Sequence, residues 1–243
     1  MKPQRIAKMM AAAGLCSRRE AERWIEEGRV MVNGETLTTP ATLVGAGDDV
    51  IVDGKRIAGA APIPRLFVYH KPAGLVTSHR DEEGRATVFD HLPRDLPRVI
   101  SVGRLDLDSE GLLLLTTSGA LARAMELPSG AQARTYRVRI RGTPMETHYQ
   151  QLERGVTIDG VHYQPIDAVP DRAKEGRNQW LTLTLHEGKN REIRRIFEHF
   201  DIPVSRLIRI QYGNFHLDDL APGEVAEVPR AYVEELMEKL GVA

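Results

Sequence analysis

The chain has 243 residues and a single cysteine, Cys16, so it can form neither an internal disulfide nor a multi-cysteine metal site. No apolar run approaches the length of a membrane span. Residues 9–15 are apolar, but the run is short, alanine-rich and followed after Cys16 by Ser17-Arg18-Arg19-Glu20, which suits a helix rather than a targeting signal. A cytoplasmic protein is expected. There is no glycine-rich phosphate loop, nicotinamide fingerprint or metal-ligand cluster, so neither cofactor nor metal is expected. No period of 20–50 residues repeats, which excludes a solenoid. The net charge is −1, and that total points to no polyanionic partner.

The distribution of charge says more. Residues 1–30 hold seven Lys/Arg against four Glu, a local +3, and residues 128–145 hold four Arg and no acid. Residues 214–243 hold seven acids against two bases, a local −5. Basic patches balanced by an acidic terminal segment suit an RNA binder, against the plainer reading of ordinary surface charge. Hydrophobic residues make up 42% of the chain, enough for a sizeable core in one large domain or two smaller ones.

The densest polar cluster lies between apolar runs: Ser101-Val102-Gly103-Arg104-Leu105-Asp106-Leu107-Asp108-Ser109-Glu110-Gly111, followed by Leu112 to Leu115. The flanks want burial, so the cluster must sit at the core's edge, where a loop can fix a carboxylate. One reading is a simple turn before a buried strand. A calcium loop fails, because the twelfth position, which needs a bidentate Glu, is Thr117. The third reading is catalytic, with one carboxylate beside Arg104 acting as nucleophile or base.

Around this stretch the pattern resolves into elements. Ile6, Met9, Met10 and Ala13 have helical spacing, and Ser17-x-x-Glu20 is a capping box for a second helix ended by Gly28. Asn33-Gly34 and Asp53-Gly54 each join two short strands. Residues 58–64, rich in Ala and Pro, read as a linker, giving domains at 1–61 and 65–243. Further on, residues 66–69 read as a strand and 88–92 as a short helix. Residues 121–127 form a helix ended by Pro128. Residues 134–141 alternate strictly, with Tyr136, Val138 and Ile140 on one face and Arg137, Arg139 and Arg141 on the other. Strands are expected at 156–158, 161–163, 180–186, 204–210 and 223–228. Helices should follow Glu187 and cover 232–240. The first has Ile193, Ile196, Phe197 and Phe200 as its buried stripe.

Gly103-Arg104-Leu105-Asp106-x-x-Ser109-Glu110-Gly111-Leu112-Leu113 resembles the signature of the RsuA/RluB-type ribosomal RNA pseudouridine synthases. Lys71-Pro72-x-Gly74 and the Tyr136 strand fit the same family. Residues 4–57, through Gly14-Leu15-Cys16-Ser17-Arg18-Arg19-Glu20-Ala21 and Gly28-Arg29-Val30-x-Val32-Asn33-Gly34, resemble the αL-type RNA-binding module. The resemblance implies an α+β protein: a small αL-type RNA-binding domain, then a synthase domain built on a mixed, largely antiparallel sheet. It implies uridine isomerisation in ribosomal RNA, of the large subunit by preference, by a monomer acting on the RNA or a pre-ribosomal particle.

It also implies roles. Asp106 is the catalytic carboxylate, Arg194 contacts it and keeps it ionised, and Tyr136 stacks on the uracil and can take the C5 proton. Asp108 stands at a variable position and is expected to be dispensable, and Glu110 to order the loop. Arg104 holds the flipped nucleotide or the displaced strand. Arg18, Arg19 and Arg29, with the Asn33 turn, face phosphates, and Lys71, Lys189, Arg195 and Arg209 are weaker candidates for phosphate contacts. Two other classes remain in play: a non-catalytic RNA-binding assembly factor, and a two-carboxylate glycoside hydrolase using Asp106 and Glu110.

Overall fold

Short apolar strands joined by Asn-Gly and Asp-Gly turns shape the amino-terminal part of the computed structural model, which describes residues 3–45, 47–57, 63–127, 132–171 and 178–242. The chain divides into two units, the first of them Met1–Arg65 with Leu96–Ile100 and Thr117–Gly119. Of the expected linker, residues 58–62 lie outside the described residues.

In the first unit β1 (Gln4–Arg5) leads into α1 (Ile6–Ala12) and α2 (Arg18–Glu26). Ser17 caps α2 by accepting from the Glu20 amide at 3.1 Å. The strands β2 (Val30–Val32), β3 (Glu35–Thr36), β4 (Leu43–Val44), β5 (Val50–Val52) and β6 (Lys55–Arg56) follow. They form an antiparallel sheet in the order β3-β2-β5-β6, while β1 pairs with β4. Asn33 and Asp53 take the left-handed conformation that these two-residue turns require. Ile6, Met10, Ala21, Ile25 and Val30 are fully buried between helices and sheet.

The second unit is built on one mixed sheet. Its elements are β7 (Leu66–Lys71), β8 (Ile100–Val102), β9 (Glu110–Thr116), α3 (Gly119–Glu126), β10 (Arg134–Arg141), α4 (Glu146–Arg154), β11 (Val156–Ile158), β12 (Val161–Tyr163), β13 (Asp167–Pro170) and β14 (Asn178–Leu185). Then come α5 (Glu192–His199), β15 (Val204–Tyr212), β16 (Phe215–His216), β17 (Val225–Glu227) and α6 (Arg230–Lys239). The main path runs β13-β14-β10-β15-β9-β7-β17, antiparallel except where β15 meets β9. This is the α+β, largely antiparallel arrangement expected. Leu112 to Leu115 are buried at 1% exposure or less, which explains an apolar run without alternation: both sides of β9 are covered. Val138, Ile140, Leu181 and Leu183 form one core face with Ile193, Ile196 and Phe197 of α5. Among the described residues, no helix is long and apolar enough to cross a membrane.

Several elements had no sequence signal. The helix α4 buries only Leu152, so its apolar period is nearly silent. The strand β13 lies at the sheet's edge and leaves Val169 61% exposed. The expected stop at Pro128 lies outside the described residues.

The parallel junction dictates one residue. Gly111 sits at φ +102°, and a Cβ there would run into the Arg209 carbonyl oxygen and lie 2.7 Å from the Arg209 nitrogen. Only glycine lets β15 approach this closely. Gly84 also has positive φ (+69°) but open space around it. Gly84→Ala should therefore cost about 1 kcal/mol, the backbone term alone. Gly111→Ala should cost about 3 kcal/mol or more, because the strand pair must part. Urea denaturation of the two variants checks this, and equal losses would show that the close approach carries no energy.

Candidate active site

The loop between β8 and β9 is fastened by its backbone. Thr77 Oγ1 donates to the Leu105 carbonyl at 2.8 Å, and the Gly74 amide donates to the Leu107 carbonyl at 2.7 Å. The Ser109 amide closes a turn onto the Asp106 carbonyl at 3.0 Å. Beneath lies Lys71, with no exposed surface, whose Nζ donates to the carbonyls of Ser109 (2.8 Å), Pro72 (3.0 Å) and Leu107 (3.4 Å). Burial pushes the Lys71 ammonium down to about 8, and the nearby charges of Asp108, Asp106 and Glu110 oppose the fall. Lys71 is therefore no phosphate contact. It is the internal clamp of the loop, out of reach of a ligand.

The three loop carboxylates meet different fates. Glu110 is gripped by Arg206 through two bonds of 2.8 Å, and this fork holds its carboxyl below the usual range. Asp108 faces α5. Its carboxylate lies 3.2 Å from Arg194 and 3.4 Å from Arg191, and its carbonyl accepts from Arg194 Nη2 at 3.0 Å. Asp106 lines the cleft, and its carboxylate has no hydrogen-bond or ion-pair partner among the described residues. The contact expected between Arg194 and Asp106 thus goes to Asp108 instead. Arg194 is anchored at the Val204 carbonyl (3.2 Å), which aims the guanidinium at Asp108. Asp106 favours the Arg194 charge only as a more distant anion, while burial lowers the Arg194 pKa.

The cleft holds about 640 Å³. Tyr136 enters it from β10, half-buried against the core, with no partner for its hydroxyl among the described residues. Arg104 is exposed at the rim and has no side-chain partner among the described residues. Arg209 also lines the cleft but is 3% exposed, and its Nε donates to the Leu112 carbonyl at 2.7 Å, so it braces strands rather than offering itself to a phosphate. Lys189 is on the wall and paired with Glu187, while Arg195 is exposed on α5 and not among the cleft residues. Sequence reading missed Arg134, whose guanidinium lies 5.0 Å from the Tyr212 ring at the cleft wall. Its strict alternation with Tyr136 on β10 was the available signal.

In the amino-terminal unit Arg18 and Arg19 are exposed and have no side-chain partner among the described residues, which keeps them open to phosphates. Arg29 is committed elsewhere: it forks onto Asp53 at 2.8 and 2.6 Å, reaches Glu27 at 3.3 Å, and stacks 4.2 Å from the Trp24 ring. Asn33 likewise donates to Asp48 at 2.8 Å and accepts from the Asp49 amide at 2.9 Å. Both expected RNA contacts are structural braces, because each polar group already has partners.

Glu192, at the start of α5, is also on the cleft wall and is 4% exposed. It accepts from the Lys189 amide at 3.0 Å. Burial, then the adjacent Glu187 charge, push its carboxyl up to about 7. For Glu187 burial pulls upward too, but Lys189 and the Gln164 amide outweigh it and the net shift is downward. Between the unfolded value of 4.5 and about 7 the native state keeps a proton that the unfolded chain has released. This stabilisation is full at low pH and is lost as pH rises through 7. Glu192→Gln keeps the acceptor without the charge. The variant should match the parent at pH 4, below the unfolded value, and exceed its stability by about 1–3 kcal/mol at pH 8. Parallel urea titrations test this, and identical pH profiles would contradict the shift.

Comparison with known proteins identifies the family. Residues 65–199 match a family model described as RNA pseudouridylate synthase, and residues 4–50 match the S4 domain. An uncharacterized RNA pseudouridine synthase of Rickettsia felis is 48% identical over 235 residues, covering 96% of this chain and all of that protein. A ribosomal large subunit pseudouridine synthase B of Pseudomonas aeruginosa is 38% identical over 244 residues, covering 98% of this chain and 63% of that protein. A crystal structure of a pseudouridylate synthase superposes with a TM-score of 0.65 at 24% identity over 96% of this chain and 99% of that one, a likeness of fold. The chain belongs to the RNA pseudouridylate synthase family, with an S4 domain ahead of the synthase fold.

Proposed function

We propose that the protein isomerises uridine to pseudouridine in ribosomal RNA, of the large subunit, with Asp106 as the catalytic carboxylate. The substrate follows the naming of the relatives, and the residue follows from the loop. Of three neighbouring carboxylates, Asp106 alone faces the cleft without a cation on it. A carboxylate already forked by arginine is a poor nucleophile or base, whereas a free one is available. A purely RNA-binding protein would have no use for that arrangement.

In the reaction the N1–C1′ bond breaks, the uracil turns, and C5 bonds to C1′. The C5 proton leaves and N1 gains one, so atoms balance without any cofactor. Attack on C1′ and removal of a ribose proton both use the Asp106 side chain. The uridine must leave its stack to reach the cleft. Tyr136 offers its ring to the uracil and its free hydroxyl to the C5 proton, and Arg104 holds the flipped nucleotide. Arg194 is a positioning residue acting through Asp108. The amino-terminal domain, residues 1–61 as read from sequence, adds affinity through Arg18 and Arg19. The partner is ribosomal RNA or a pre-ribosomal particle, met by a cytoplasmic monomer.

Asp106→Asn should bind RNA yet lose turnover by about 10⁴ or more. Asp108→Asn, which weakens a half-exposed ion pair, should lose about tenfold or less, in line with the roughly 1 kcal/mol such pairs carry. Tritium release from C5-labelled uridine under single-turnover conditions reads both. Near-normal release by Asp106→Asn would remove the basis of the assignment.

Tyr136→Phe separates ring from hydroxyl. It should bind normally but stall after glycosidic cleavage, whereas Tyr136→Leu should also lose roughly 1–3 kcal/mol of stacking. Full turnover by the Phe variant would show that the hydroxyl is not the base.

A further inference from the structure

The face of the sheet opposite Tyr136 has no role in the reaction, yet its composition is unusual. Cross-strand register puts Trp180 of β14, Arg139 of β10 and Arg206 of β15 side by side in one row. The next row holds Thr182, Arg137 and Ile208. These side chains are half-buried or exposed, whereas the opposite face carries the buried Val138, Leu181, Leu183 and Leu207.

Like charges directly opposite on a sheet repel and destabilise the pair unless something neutralises them. Arg206 has its counterion in Glu110, and Arg137 has Asp171 at 2.5 Å. Arg139, between them, has no side-chain partner among the described residues, and neither does the exposed Arg141 at the strand's end. Two guanidiniums without counterions, one of them facing a third, form a site short of negative charge among the described residues. Beside them stands an aromatic platform: the Arg137 guanidinium lies 5.4 Å from the Trp180 ring. Guanidinium planes and indole rings are surfaces on which unpaired bases stack, and free guanidiniums between them suit the phosphates.

We propose that this open sheet face is a second RNA-contacting surface, with Arg139 and Arg141 taking backbone phosphates and the Arg137–Trp180 stack taking an unpaired base. The inference rests on the proposed RNA substrate, and it enlarges the footprint from the cleft to the back of the same sheet. Because Arg206 ties this face to Glu110, four residues after Asp106, RNA held here engages the strand that carries the site loop.

The full-length protein and a large-subunit ribosomal RNA transcript provide the test. The chain has two tryptophans, so in a Trp24→Phe background Trp180 is the sole tryptophan and is read by excitation at the red edge of the indole band. The transcript should quench it. Arg139→Glu with Arg141→Glu should weaken binding at least tenfold at moderate salt, and the neutral pair Arg139→Gln with Arg141→Gln should lower the log–log salt slope by about two. Lys239→Glu, the same kind of reversal on α6, should stay within about twofold of the parent. Unchanged fluorescence, or unchanged affinity and slope in the Gln pair, would overturn the proposal. So would equal quenching by polyglutamate, which would make this a site for an acidic protein. Tritium release by the parent, measured in parallel, reports separately on the proposed function: a protein that shows these binding effects but no release keeps the surface and loses the reaction.

Discussion

A single buried ammonium organises the site. Loops that display carboxylates must turn their carbonyls inward, and carbonyls taken out of water need donors. Lys71 supplies three bonds from one atom, to Pro72, Leu107 and Ser109. The cost is a desolvated cation, visible in its lowered pKa. The compensation is the charge of the three carboxylates above it. The clamp and the carboxylates are thus mutually dependent: the ammonium orders the loop, and the loop's anions make the buried ammonium tolerable.

The surrounding cations then sort the carboxylates by direction. Arg206 takes Glu110 from β15, and Arg194 and Arg191 take Asp108 from α5. These ion pairs fix the Asp108–Glu110 end of the loop and leave Asp106, two residues upstream, without one among the described residues. A site built this way separates the work of holding from the work of reacting. It also explains why Arg194, catalytic in the sequence reading, is a support: its guanidinium is engaged by Asp108 and the Val204 carbonyl.

The same distinction runs through the rest of the molecule. Arg29 and Asn33 bear the residue types of phosphate contacts, yet each is saturated by side chains and amides of its own unit. Arg18, Arg19, Arg104 and Arg139 have no such partners among the described residues. Availability rather than charge divides the arginines open to a ligand from the structural ones, since a guanidinium with two good partners gains little by exchanging them.

The sequence by itself determined the elements whose periodicity is local: the capped helix after Ser17, the Asn33-Gly34 and Asp53-Gly54 hairpins, and the alternation of residues 134–141. It also marked the Asp106 loop, because polar residues between two buried runs can go nowhere but an edge. Where burial was slight, as in α4 and β13, the pattern was silent and the elements were not legible. Only the tertiary structure decided which charged groups met. Spacing put Arg194 only on or beside the exposed side of α5, and its choice of Asp108 over Asp106 depends on where β15 puts the Val204 carbonyl. Likewise the glycine at 111 was visible as part of a motif, while its reason, the approach of the Arg209 backbone, exists only once β15 lies parallel to β9. Long-range register sets such contacts, and no local pattern of side chains encodes it.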